Sequence, residues 1–201
     1  MIVCGGVLLI VEITPIIKDN STIQLFKDLA ARNSELEMID LHKTTPIITD
    51  ELLAALARLP KIKVLKVELD QNRCTDDGFG RFVDLLDGTT VEKLQLRNMQ
   101  YIPRETFESI GNLKHLKTLR FISPPGFGIP VYADGNGLMR LLRKSKLDEL
   151  YFDCVRLFSP PDSVKGLLGR EPLRYELTSL EDYAADFIQN EYSVRIERVR
   201  D

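Results

Sequence analysis

The amino-acid sequence predicts an α/β solenoid, a right-handed horseshoe of about seven strand–helix units with parallel strands on the concave face. Three observations predict it. An apolar triplet, occupying the first, fourth and sixth positions of a short motif, returns at intervals near 26 residues. Between copies the apolar spacing changes from period two to period 3.6, as alternating strands and helices require. At two successive junctions the same step, Thr49-Asp50 and Thr75-Asp76, stands where a helix would begin.

Leu36, Ile39 and Leu41 form the first clear copy, and Ile62, Leu65 and Val67 the second, 26 residues on. Val91, Leu94 and Leu96 follow at a spacing of 29, Leu116, Leu119 and Phe121 at 25, and Leu147, Leu150 and Phe152 at 31. Weaker copies stand at Leu8, Val11 and Ile13 and at Pro172, Tyr175 and Leu177, with Val194 and Ile196 as a closing strand. The chain thus reads as one domain over 1–201, best marked over 36–152.

Helices are expected between the strands. Thr49 to Arg58 opens on capping residues and places Leu52, Leu53 and Leu56 on one face. Gly78 to Leu86 does the same with Phe79, Phe82, Val83 and Leu86, behind Thr75-Asp76-Asp77. Further helices are predicted over Ile23 to Ala31, Arg104 to Ile110, Gly137 to Arg143, Ser163 to Leu168 and Ser179 to Asn190. A doubly wound sheet would share this alternation locally. The recurring L-x-x-L-x-L pattern, with no Gly-rich phosphate loop after any strand, favours units that bury apolar positions against their neighbours.

The strand triplets, together with Ile48-Thr49-Asp50-Glu51-Leu52 and Cys74-Thr75-Asp76-Asp77-Gly78-Phe79, resemble leucine-rich repeats of the ribonuclease-inhibitor-like and F-box-associated class. The two Thr-Asp segments look like that class's I-T-D-x-G-L turn into the helix. The pattern departs from the class at Ile102-Pro103-Arg104-Glu105, and the later units lack the turn motif. No F-box is expected, because the first 35 residues offer one strand and one helix. The resemblance implies a protein-interaction module, a substrate-recognition or scaffold subunit of a larger complex. The alternative it implies is a regulatory inhibitor that occludes a partner enzyme.

In a solenoid the third and fifth motif residues and the one after the motif face outward from the strands. They form rows running Met38, Asp40, His42; Val64, Lys66, Glu68; Lys93, Gln95, Arg97; Thr118, Arg120, Ile122; Glu149, Tyr151, Asp153; and Arg174, Glu176, Thr178. Lys66, Lys93, Arg97 and Arg120 concentrate positive charge in the middle and suit an acidic or phosphorylated segment of a partner. Glu68, Glu149 and Asp153 partly cancel that field, as on an ordinary solvated face. Tyr151 completes the expected contact set on this face.

Residues 122–136 make their repeat the longest and read as an insertion loop, the kind that touches a partner. Prolines and glycines argue there against a regular helix or a central strand, while Phe127, Ile129, Val131 and Tyr132 supply apolar content. Phe127 and Tyr132 are the candidate contacts. Alternatively, these four side chains tuck under the helices as a satellite core.

Catalytic constellations are missing from the sequence. His42 and His115 are the two imidazoles, and neither shares a motif with a nucleophile. Phosphate-loop, dinucleotide and H-E-x-x-H motifs are lacking. Cys4, Cys74 and Cys154 fit no zinc or redox spacing and suit a reducing compartment. Asp76-Asp77 and Glu181-Asp182 read as helix-start carboxylates. The expectation is therefore a non-enzyme without cofactor or metal.

With 27 Lys and Arg against 30 Asp and Glu, net charge −3, bulk attraction to nucleic acid or anionic membrane is not expected. The apolar start lacks a basic n-region and carries Glu12, so it does not read as a signal peptide. Those features fit a cytoplasmic or nuclear protein. Val7 to Val11 is apolar on both faces, so self-association through residues 2–13 is expected, whereas Tyr192 to Asp201 alternates and suits a polar end.

Overall fold

The computed structural model describes residues 10–12, 20–32, 35–41, 49–69, 75–99, 101–123, 131–153, 155–158, 183–187 and 194–198. The chain is α/β and divides into two compact units, residues 1–97 and 98–201. Among the described residues, no helix is long and apolar enough to cross a membrane.

The first unit alternates β1 (Ile10–Glu12), α1 (Asn20–Ala31), β2 (Met38–Asp40), α2 (Asp50–Leu56), β3 (Val64–Glu68), α3 (Asp76–Leu86) and β4 (Lys93–Arg97). Its four strands are parallel and stand in sequence order. The helices follow that order too, α1 against α2 and α2 against α3. The register is the one that the motif spacing implies: Ile39 stands opposite Leu65 and Leu65 opposite Leu94, each the fourth residue of its copy. Val11, fourth in the weak first copy, stands opposite Ile39.

The second unit contains β5 (Tyr101–Ile102), α4 (Arg104–Ile110), β6 (Thr118–Ile122), β7 (Val131–Asp134), α5 (Gly135–Lys144), β8 (Glu149–Phe152), β9 (Val155–Phe158), β10 (Tyr183–Phe187) and β11 (Val194–Arg198). One sheet runs β6-β8-β11-β10, in which β6 and β8 are parallel and the last two strands antiparallel. A second, parallel sheet runs β5-β7-β9. Helices α4 and α5 pack together.

The apolar triplets are the core. From Leu36 to Phe152, all five copies keep their first, fourth and sixth residues at most 3% exposed. Each such burial contributes about 1.5–3 kcal/mol. Strand alternation keeps the other face half-exposed, with the pattern repeated in β3, β4 and β6. In the second unit the sixth position becomes aromatic. Phe121 stacks on Phe152 at 5.1 Å between ring centroids, and Phe107 of α4 meets Phe121 edge-on at 6.0 Å.

A backbone device recurs with the motif. At three junctions the carbonyl of the second motif residue accepts N–H bonds from the second and third residues of the next copy. Glu37 O takes them from Lys63 and Val64 (2.8 and 2.9 Å), Lys63 O from Glu92 and Lys93 (both 2.9 Å), and Lys117 O from Asp148 and Glu149 (2.8 and 3.0 Å). The copies are thus equivalent in hydrogen bonding as well as in composition.

Helix starts follow the expected caps. The Thr49 hydroxyl accepts from the Leu52 amide at 3.3 Å, and that of Thr75 from the Gly78 amide at 2.9 Å. Thr75 is the N-cap residue of α3. Helix α4 has Pro103 at its cap position and no side-chain cap bond, which fits the departure from Thr-Asp there.

Several expectations are corrected. The helix predicted over Ser179 to Asn190 is a strand across Tyr183–Phe187, in which Tyr183, Ala185 and Phe187 alternate with period two. Glu181-Asp182, expected at a helix start, lies outside the described residues. The closing strand at Val194–Arg198 exists but lies between β8 and β10, so the last two strands break the expected parallel order. Within the expected loop 122–136, Val131–Asp134 is a central strand. The prolines end at Pro130, and Val131 and Ala133 point inward, fully buried.

The turn motif also persists where it was expected to be lost. Asp134 replaces threonine and accepts from the Gly137 amide at 2.6 Å, so Asp134-Gly135-Asn136-Gly137-Leu138 repeats Thr75-Asp76-Asp77-Gly78-Phe79 with another capping residue. Both glycines meet the preceding helix start closely. A Cβ at Gly78 would stand 1.9 Å from the Asp50 carboxyl carbon, and one at Gly137 would stand 2.8 Å from the Arg104 Cα. The predicted helix at 163–168 and the copy at 172–177 lie outside the described residues.

Candidate functional site

In the first unit, the strand face away from the core carries its outward residues in register. Met38, Val64 and Lys93 form one row, Asp40, Lys66 and Gln95 a second, and Glu68 with Arg97 a third. Neighbouring strands lie roughly 5 Å apart, so a partner laid across them would touch several copies at once. Ion pairs stitch the copies together at one repeat's separation. Lys66 bonds Asp40 at 2.8 Å, Lys63 bonds Glu37 at 2.7 Å, and Lys61 pairs with Glu35. The Glu37 hydrogen bond, with its charge, holds the Lys63 ammonium above the usual lysine range.

In the second unit, the corresponding face centres on Tyr151. Register sets Arg120 on one side of it and Arg195 on the other. The Arg120 guanidinium lies 5.8 Å from the Tyr151 ring centroid and pairs with Glu149 at 2.7 Å. The Tyr151 hydroxyl donates to Asp153 at 3.3 Å. Glu149 in turn stands opposite Glu197.

The expected cationic patch is accordingly more neutral than the bare sequence suggests. Lys66 and Arg120 each face a carboxylate, while Lys93 and Arg97 fall opposite Val64 and Glu68. Arg120 and Tyr151 do come together. Tyr132 lies on the three-stranded sheet, 40% exposed, and Phe127 lies outside the described residues. Of the four apolar side chains weighed for a satellite core, Val131 is buried and Tyr132 is not; Ile129 joins Phe127 outside the described residues.

Sequence reasoning missed Tyr101. It stands directly opposite Tyr132 on the neighbouring strand and is 51% exposed. The available signal was the Tyr-Ile dipeptide after a turn, too short to read as a strand. Arg195 was missed as a neighbour of Tyr151 because an antiparallel return cannot be inferred from a parallel repeat.

A further concave feature lies on the helix side of the second unit. Glu105, Phe107, Glu108, Ser109 and Asn112, with Arg140, Arg143 and Lys144, line a groove of about 650 Å³. Glu108 accepts from Arg104 at 2.9 Å and from Arg140 at 2.6 Å. These two bonds hold its carboxyl below the usual range, and the bond to Glu108 raises Arg104. Lys144 donates to the Asn112 side-chain oxygen.

Among the described residues, no three His, Cys, Asp or Glu side chains cluster as metal ligands would. His115 is exposed, and His42 lies outside the described residues. Asp40 accepts a hydrogen bond from the Lys66 ammonium.

These observations define an α/β protein with mostly parallel sheets whose outward strand residues are half-exposed. No known protein family matches the chain, and no curated protein matches it.

Proposed function

We propose that this chain is a protein-interaction module of leucine-rich-repeat type that binds a partner across its outward strand faces and the exposed Tyr101–Tyr132 pair. The observation that carries the proposal is the in-register outward face. Repeats of 25 to 31 residues set equivalent positions side by side, and the first unit's strands and helices both run in sequence order. That order supports a solenoid, in which each unit covers only its neighbours. Tyr and Arg are over-represented where interfaces concentrate their energy, and this chain sets Tyr151 between two arginines. A non-enzymatic role in the cytoplasm or nucleus, within a larger complex, accords with these features.

A photo-crosslinking amino acid at Gln95 or at Tyr132 tests the proposal, with Lys27 and Arg81 on exposed helix surfaces as the comparison. The same partner protein should be captured from both strand-side positions and from neither helix-side position. Capture from Lys27 and Arg81 alone would overturn it.

A further inference from the structure

We infer that the groove between α4 and α5 binds a phosphate monoester carried on a partner protein, a phosphoserine or phosphothreonine side chain. The inference rests on the reading of the chain as a protein-binding module and names the chemistry of one contact.

Charge points to an anion. Arg140, Arg143 and Lys144 line the groove, and Arg104 reaches Glu108 beside it, so four cations meet the three carboxylates Glu105, Glu108 and Asp134, the last of which acts on Arg104. The local surplus is positive in a chain whose net charge is −3. Glu108 is already held by two guanidinium groups and answers for Arg104 and Arg140. Among the described residues, Lys144 bonds a neutral amide oxygen through its side chain and pairs with no carboxylate, and Arg143 is exposed without an ion-pair partner. These are the two cations left to a ligand.

Basic helix ends are not a general feature of the described helices. Cations do favour helix C-termini. Yet α1, α2, α3 and α4 all end without a basic residue in the last turn, and α5 alone carries Arg143 and Lys144. The Ser109 hydroxyl and the Asn112 side chain add neutral hydrogen-bonding groups to the same wall. A phosphate monoester offers three acceptor oxygens and a charge of roughly −1.5 to −2, which suits a guanidinium fork, an ammonium and neutral donors together. A carboxylate would use fewer of them.

The test is fluorescence anisotropy of the full chain with a degenerate peptide pool centred on phosphoserine, against the same pool unphosphorylated and against a single-stranded oligonucleotide. The phosphorylated pool should bind at least about tenfold more tightly than the unphosphorylated one. The double variant Arg143→Gln, Lys144→Gln should lose that preference with its Tm moved by no more than about 2 °C, while Lys27→Gln on the exposed surface of α1 keeps it. Equal binding of the two pools, or selectivity unchanged in the double variant, overturns the inference. So does an oligonucleotide that competes as well as the phosphopeptides and loses binding in the same variant. Strand-face crosslinks that persist without phosphate selectivity defeat this inference alone. Phosphate selectivity without those crosslinks defeats only the strand-face reading.

Discussion

The Asp50 carboxylate accepts two hydrogen bonds from Thr75, one from its backbone N–H at 3.0 Å and one from its hydroxyl at 2.7 Å. Thr75 uses the same hydroxyl oxygen to cap its own helix at Gly78. The start of α2 therefore fixes the start of α3. It does so only because Gly78 has no side chain, since a Cβ there would occupy the position of the carboxylate. Asp50→Ala should cost about 1–2 kcal/mol in urea unfolding, the worth of two partly exposed bonds.

Gly78→Ala should also destabilise, although alanine in a helix ordinarily gains about 1 kcal/mol over glycine. In an Asp50→Ala background the obstructing carboxylate is gone, and the same substitution should become stabilising by about 0.5–1 kcal/mol. A Gly78→Ala effect of the same sign and size in both backgrounds would refute the coupling.

The aromatic core of the second unit gives a second expectation. Phe121 touches Phe107 edge-on and Phe152 face-on, and all three are fully buried. Phe121→Ala should cost about 3–5 kcal/mol, and Phe121→Leu less because it keeps most of the volume. The near-ultraviolet circular dichroism of Phe121→Ala should fall along with its unfolding midpoint. Retention of the full aromatic signal would mean that the cluster does not hold the unit.

Much of this fold was legible because burial and spacing are local. Leu65 or Leu119 could be assigned to the core from an apolar triplet, and the registers of β2 to β4 and of β6 with β8 followed from aligning the triplets. Helix starts were legible through Thr49 and Thr75. The Asp134 cap was overlooked because aspartate does the same work with a different residue. The strand at Tyr183–Phe187 was overlooked because Ser179 to Asn190 contains enough alanine and acid to imitate a helix, and because its partner follows it in the chain. Site residues were less legible. Whether a lysine is available to a ligand depends on which carboxylate faces it, and Asp40 reaches Lys66 only through the pairing of β2 with β3.

Glu108 supplies a pH-dependent link between α4 and α5. Its folded pKa lies below the unfolded value of about 4.3. Its contribution is therefore fully present above the unfolded pKa and is lost as pH falls through the folded one. The stability difference between the native chain and Glu108→Gln should be constant above about pH 5.5 and shrink toward zero on acidification below about pH 4. Urea titrations of both chains from pH 7 to pH 3 measure it. A difference that stays flat across that range would show that the carboxylate does not favour its ionised form in the folded protein.

Two of the ion pairs that join the first two copies make a comparison of equal chemistry at unequal burial. Lys66 and Asp40 have side chains 23% and 13% exposed, whereas Lys63 and Glu37 are 47% and 41% exposed. An exposed pair gains little over solvated ions, so Lys63→Met should change stability by no more than about 0.5 kcal/mol. Lys66→Met removes one ammonium from an Asp40 carboxylate that is largely buried and should cost about 1–3 kcal/mol. Adding Asp40→Val to Lys66→Met should recover part of that loss, because it removes the desolvated carboxylate along with its ammonium. The four chains can be compared by urea unfolding at two salt concentrations. If Lys63→Met proves as costly as Lys66→Met, burial does not set the strength of these pairs.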